Sequence, residues 1–242
     1  MNIDSQHPNS LPVHRIVHDE VALKRFIDWL PELKTHERFY VSLFARRKYD
    51  DRIKGSDKAN LKRFLTSKDK LLGKIRQLEI PLGRYVTKGV VVEDVSLALY
   101  ICPNPRCMRK ATFALVKQLM SRLENQDQSF NPHADALSWA HKSKSRAVWV
   151  DFDIDFDLEE SDKQTSIEHC IRTITGIVGV EAVSFVETRG GLHCLVEPQK
   201  VAGEKHWHKQ ITDSLTIDQF GDLLMPVPGC CQGGFVPKFV QP

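Results

Sequence analysis

From Val150 to Asp157 the chain alternates without interruption, Val-Asp-Phe-Asp-Ile-Asp-Phe-Asp. Strict alternation is the period of a β-strand, whose successive side chains point to opposite faces. Val150, Phe152, Ile154 and Phe156 therefore need a core on one side, while Asp151, Asp153, Asp155 and Asp157 share the other. The apolar run Ala147 to Val150 leads into this strand. Carboxylates two residues apart on one face lie roughly 6.5–7 Å from each other. Such neighbours repel and raise each other's pKa unless they are solvated or neutralised. A hard divalent cation, which prefers carboxylate oxygens, relieves the conflict. The plainer alternative is a solvated acidic edge, but an ordinary edge mixes in Lys, Thr or Ser.

A chain of 242 residues can bury a core and make one large domain or two small ones. Its 41% hydrophobic and 27% charged residues are those of a globular protein. The net charge of +3 says little, but its distribution says more. Between Phe44 and Arg76 stand twelve Lys/Arg against four acids, a local excess of eight positive charges. Such a patch suits a phosphate backbone, and it equally suits a solvated helix face. No apolar run approaches the ~20 residues that cross a bilayer, and Met1 to Ser10 is polar, unlike a signal peptide. These features predict a cytoplasmic location without membrane contact. Cys102, Cys107, Cys170, Cys194, Cys230 and Cys231 then read as free structural thiols, since neither C-x4-C nor an adjacent pair is a usual zinc spacing.

Along the chain, residues 1–15 read as a flexible polar leader. Helical periodicity runs from Glu20 to Leu33, interrupted by Pro31. Arg38–Phe44 reads as a strand and Asp57–Leu78 as a long basic amphipathic helix. Val95–Cys102 is a second strand, stopped by the rigid turn Pro103-Asn104-Pro105-Arg106. Ala111–Leu123 is a helix with Phe113, Val116, Met120 and Leu123 at helical spacing, and Asn125–Ser145 an irregular linker. From Ala147 the order is strand, helix (Thr165–Val178), strand (Ala182–Glu187), strand (Leu192–Glu197), helix (Glu204–Leu215) and strand (Leu223–Val227). That is the β-α-β-β-α-β pattern of a ferredoxin-like or RRM-like sheet. The expected class is α+β, with an N-terminal α/β unit at 16–145 packed on an RRM-like unit at 146–242.

Two further segments carry chemistry. In Thr188-Arg189-Gly190-Gly191-Leu192-His193, two glycines permit positive φ and close backbone approach. Thr188, Arg189 and His193 offer a hydroxyl, a guanidinium and an imidazole, a set suited to a triphosphate. By itself such a segment is more often a structural hairpin than a site. The second segment holds Asp218 and Asp222 ahead of Pro226-Val227-Pro228-Gly229, where a lone acid is often only a turn or cap residue.

Together the three segments resemble the archaeo-eukaryotic primase (primase-polymerase) superfamily, in its small bacterial, phage and mobile-element form. Val148-Trp149-Val150-Asp151-Phe152-Asp153 matches its first motif, an apolar strand ending in Asp-x-Asp. Thr188 to His193 matches the second, and Asp218 or Asp222 with the Pro-Gly segment fits the third. The strand–Asn-Pro-Arg–helix element at Tyr100–Leu123 looks like the family's N-terminal unit. The resemblance spans roughly residues 38–240. It implies a DNA primase or polymerase, a nucleotidyltransferase working by two Mg2+ or Mn2+ ions. Asp151 and Asp153 would bind metal, completed by Asp222 or Asp218, with Asp155 as a further ligand because the motif is extended. His193, Arg189, Thr188, Gly190 and Gly191 would hold the NTP or dNTP. Arg106, Arg46, Arg47 and Lys48 would meet the DNA template. No P-loop or zinc ribbon appears, so any helicase would be a separate partner.

Two other classes stay open on the residues alone. A catalytically silent RRM-like module would bind nucleic acid, although an RRM stacks bases on sheet aromatics where this sheet carries aspartates. A metal-dependent nuclease also needs clustered carboxylates, but not a nucleoside triphosphate.

Overall fold

A computed structural model describes residues 11–126, 131–156, 160–202 and 205–241. Asp157 lies outside these residues. The elements are α1 (Glu20–Trp29), β1 (Glu37–Arg46), β2 (Lys58–Thr66), α2 (Leu71–Arg76), β3 (Val86–Thr87), β4 (Val90–Val91), β5 (Leu97–Ile101), β6 (Arg106–Cys107), α3 (Met108–Glu124), α4 (Pro132–Lys142), β7 (Val150–Asp155), α5 (Glu160–Val178), β8 (Val183–Glu187), β9 (Gly191–Val196), α6 (Trp207–Ser214), β10 (Gln219–Gly221), β11 (Met225–Pro226) and β12 (Lys238–Val240). The protein is of mixed α+β class with antiparallel sheets. Among the described residues no helix is long and apolar enough to cross a membrane.

The first sheet has the order β11-β5-β1-β2, with β6 also paired to β1. Alternation on β1 and β5 sends Val41, Leu43, Ala45, Leu97, Leu99 and Ile101 to a core shared with Leu23 and Phe26 of α1 and Leu71 and Ile75 of α2. The opposite face carries Phe44, Ala98 and Tyr100. The second sheet has the order β10-β7-β9-β8-β12, and every neighbouring pair is antiparallel. Its first four strands follow the β-α-β-β-α-β order expected from the sequence. Phe152, Ile154, Phe185, Cys194 and Val196 pack on Ile167, Ile171 and Ile174 of α5 and Ile211 of α6. The aspartate face of β7 is left turned towards the first sheet.

Several sequence expectations fail for physical reasons. Asp57–Leu78 is not one helix: β2 takes its first half and the short α2 its second. Lys58, Asn60 and Lys62 are exposed while Ala59 and Leu61 are half-buried, a period of two that antiparallel pairing with β1 exploits. Asn125–Ser145 is not an irregular linker, because α4 fills much of it. Asn131 caps that helix by accepting from the Ala134 amide at 3.1 Å, and Pro132 sits at its first position. The leader is tied down where it is described: the Leu82 amide donates to the Pro12 carbonyl, and buried His14 places Nδ1 2.5 Å from Asp94.

The fourth strand of the second sheet is β10, not Leu223–Val227. Met225–Pro226 pairs instead with β5 of the first sheet. Met225, Val227, Cys230 and Cys231 accordingly join the first sheet's core. Trp29 of α1 stacks on Trp149 at 4.0 Å and donates to Ser184 of β8, tying the two sheets together again. All six cysteines are free and buried. Burial pushes the Cys102 thiol up to about 12, which keeps it protonated.

Candidate active site between the two sheets

A cavity of about 470 Å³ opens between the sheets; carboxylates gather on one side and cations, with Asp57 among them, on the other. The second sheet contributes Asp153, Asp155 and His193, joined by Thr188, Gly190, Gln219 and Asp222. The first sheet and its helices contribute Arg46, Lys48, Lys58, Tyr100 and His141. The basic side is set by register. Arg46 ends β1 directly opposite Lys58, which starts β2, so both cations stand at one end of the hairpin. Arg46 is buried and fixed: it donates to Asp57 Oδ2 at 2.6 and 2.9 Å and to the Tyr100 hydroxyl. Burial lowers the Lys58 pKa and Arg46 lowers it further, while Asp153 and Asp57 act in the opposite direction.

His193 is the centre of the acidic side. It lies directly across from Asp153 in the β7–β9 ladder, and Asp151 is its diagonal neighbour. Its Nδ1 is 2.9 Å from both oxygens of Asp151, and its Nε2 is 3.4 Å from Asp153 Oδ1. Burial alone would push its pKa down. The charge and hydrogen bond of Asp151, then Asp153 and Asp155, override that and carry it up to about 9. Asp153 is shifted upwards, first by burial and then by Asp155, Asp151 and Asp218, with His193 opposing.

The hairpin holds these groups by proximity. Neither Gly190 nor Gly191 has a positive φ, so that reason for glycine does not apply. Close approach does: a Cβ on Gly191 would sit 2.8 Å from the Ile154 carbonyl carbon, and one on Gly190 2.8 Å from Asp155 Oδ1. Thr188 is buried, and its hydroxyl accepts from the Gly191 amide at 3.0 Å. Asp218 accepts from the Asp155 amide at 2.8 Å, fixing the end of β7 rather than lining the cavity.

Other candidates take different places. Asp151 is 1% exposed and does not line the cavity. Arg106 is 2% exposed and forms a two-pronged pair with Asp222 at 2.5 and 2.9 Å, so it is a buried anchor and not a surface for template. Arg189 lies off this cavity: it stacks on the Tyr49 ring at 4.4 Å and donates to the Gly233 carbonyl. Arg47 and Lys48 are exposed, and of the two only Lys48 lines the cavity.

Sequence reasoning missed Lys58, Tyr100, His141 and Asn104. Lys58 was masked by the helix expected over it, although its two-residue alternation was visible. His141 carries no local signal; it arrives because α4 stacks it on Tyr40 at 4.7 Å. Asn104 is buried and accepts from the Val148 and Trp149 amides at 2.7 and 3.0 Å. It donates to the Trp149 carbonyl and to Asp222.

Among the described residues no three His, Cys, Asp or Glu side chains are gathered as a ready metal site. The donor chemistry nevertheless suits a hard cation. Asp153 and Asp155 both line the cavity, and burial, then the neighbouring carboxylates, already raise Asp153. Asp222 fits less well as a ligand, since its oxygens are engaged by Arg106 and Asn104. Comparison with protein-family models, with curated proteins and with solved structures finds no match.

Proposed function

We propose that this protein is a template-dependent nucleotidyltransferase of the primase-polymerase type, extending a DNA-templated strand from NTP or dNTP. One observation carries the reading: Asp153 and Asp155, with His193 beside them, face Arg46, Lys48 and Lys58 across one cleft. A nucleoside triphosphate needs both, cations to offset its own charge and carboxylates to hold the ions that accompany it. Bound Mg2+ or Mn2+ would favour the attacking 3′-hydroxylate and offset the charge of the departing pyrophosphate. Carboxylates of the β7 row would hold those ions, and Asp222 would join them only by leaving Arg106.

The remaining work falls to the chain's own groups. His193 lines the cavity, and the Asp151 and Asp153 carboxylates favour its protonated form, so its Nε2 can donate to a phosphate oxygen. Arg46, fixed by Asp57 and Tyr100, supplies charge at a set position, and Lys48 and Lys58 supply it on flexible stems. Arg47 and Lys48, exposed at the rim, suit a template phosphate. Such an enzyme would act in the cytoplasm on single-stranded template, opened where necessary by a separate helicase.

The test is nucleotide incorporation on primed and unprimed single-stranded DNA with Mg2+ or Mn2+. Labelled extension products are expected, lost in an Asp151→Ala, Asp153→Ala double variant that still folds by circular dichroism. Full activity in that variant overturns the reading. Metal-dependent strand cleavage without any triphosphate makes the protein a nuclease instead. Metal-independent DNA binding with neither activity makes it a binding module.

A further inference from the structure

Resting on that reading, we infer that the metal-facing pair of this chain is Asp153 with Asp155, and that Asp151 is a positioning residue for His193. The three aspartates share a face of β7 but not a setting. Asp151 is 1% exposed, and it lies opposite Leu195, which belongs with Trp149 to the first apolar core. Both its oxygens are taken by one partner, His193 Nδ1. Asp153 and Asp155 both line the cavity, and Asp155 is exposed.

A hard cation such as Mg2+ keeps several of its waters and binds through one or two carboxylates. The cavity end of the row has room for that hydrated ion. At Asp151 the ion would have to displace the imidazole and dehydrate against apolar walls. The backbone of β7 is also fixed where the pair is needed, by Asp218 on the Asp155 amide and by the Phe156 amide on the Gly190 carbonyl. Asp151 has a separate task. By holding Nδ1–H it sets the ring so that Nε2 lies beside Asp153, where a triphosphate oxygen would meet it.

The experiment is a Mn2+ titration of the full chain without nucleotide, followed by the electron paramagnetic resonance signal of free Mn2+. Asp151→Asn is expected to bind within about twofold of the parent, and Asp153→Asn and Asp155→Asn to weaken binding about tenfold or more. A companion titration measures dATP affinity. Asp151→Asn and His193→Gln should each weaken it about tenfold, and the double variant no further, because the two residues act as a unit. Loss of Mn2+ in Asp151→Asn as large as in Asp153→Asn overturns the inference. So does parental affinity in Asp155→Asn, an exposed position whose substitution leaves the core intact. A parent protein that binds Mn2+ and extends primers while either of those results is obtained leaves the proposed function standing. A parent that neither binds Mn2+ nor incorporates nucleotide overturns both.

Discussion

Asp153 holds a charge that its surroundings resist. Burial raises its pKa first, the other carboxylates of the site raise it further, and His193 opposes them. A carboxyl raised in the folded state binds its proton more tightly folded than unfolded. Stability is therefore lost as pH rises through the interval between its ordinary value and the raised one, and the deficit persists at pH 7. Asp153→Asn should raise Tm at pH 7 in metal-free buffer while abolishing nucleotide incorporation. The gain should vanish in acid, where the parent residue is itself protonated; thermal unfolding at the two pH values measures it. The sequence made the carboxylates and His193 legible, because alternation and a Gly-Gly hairpin are local patterns. The apolar run before the row ranked Asp151 and Asp153 first; what it could not show is that pairing with β9 sets Asp151 opposite buried Leu195. Arg106 looked like a surface cation for the same reason: nothing near it in the chain announces Asp222.

At the scale of elements, α3 separates two things that periodicity runs together. Phe113, Val116, Met120 and Leu123 have helical spacing and do lie on a helix, yet all four face solvent, Phe113 at 75% exposure. Spacing fixed the conformation and left open which face was covered. Substituting Phe113 and Leu123 by Gln should change the unfolding free energy by less than about 0.5 kcal/mol, read from urea denaturation, whereas Phe26→Ala in the core should cost about 3–5 kcal/mol. The hairpin β1–β2 teaches the converse. Leu61, Phe64, Leu65, Leu71, Leu72 and Ile75 suggested one long helix, but the alternation from Lys58 to Lys62 belonged to a strand. Pairing with β1 decided between the two periods, and it placed Lys58 beside Arg46 on the cleft.

The whole molecule depends on a few buried polar links between its sheets. Asn104 is the most heavily used, with four hydrogen bonds that join the β5–β6 turn to Val148, Trp149 and Asp222. Asn104→Ala leaves buried backbone groups unpaired and should destabilise the protein by about 2–4 kcal/mol, measured as a lower urea midpoint. It should also weaken nucleotide incorporation more than the stability loss explains, because Asp222 and the start of β7 lose a common anchor. The first five elements of the second sheet's β-α-β-β-α-β order were legible from local periodicity, and its last strand, β10, was not. The return of Met225–Cys231 to the first sheet was not, since that pairing joins segments far apart in sequence.

That return also governs how the molecule can be made. As the chain leaves the ribosome, β5 has only one of its two partners, and the core around Leu99 lacks Met225, Val227, Cys230 and Cys231 until the second sheet has been synthesised. An unpaired strand edge and an unfilled core invite mispairing. The nascent first half therefore has to wait, and both walls of the cleft come into being together, late in synthesis.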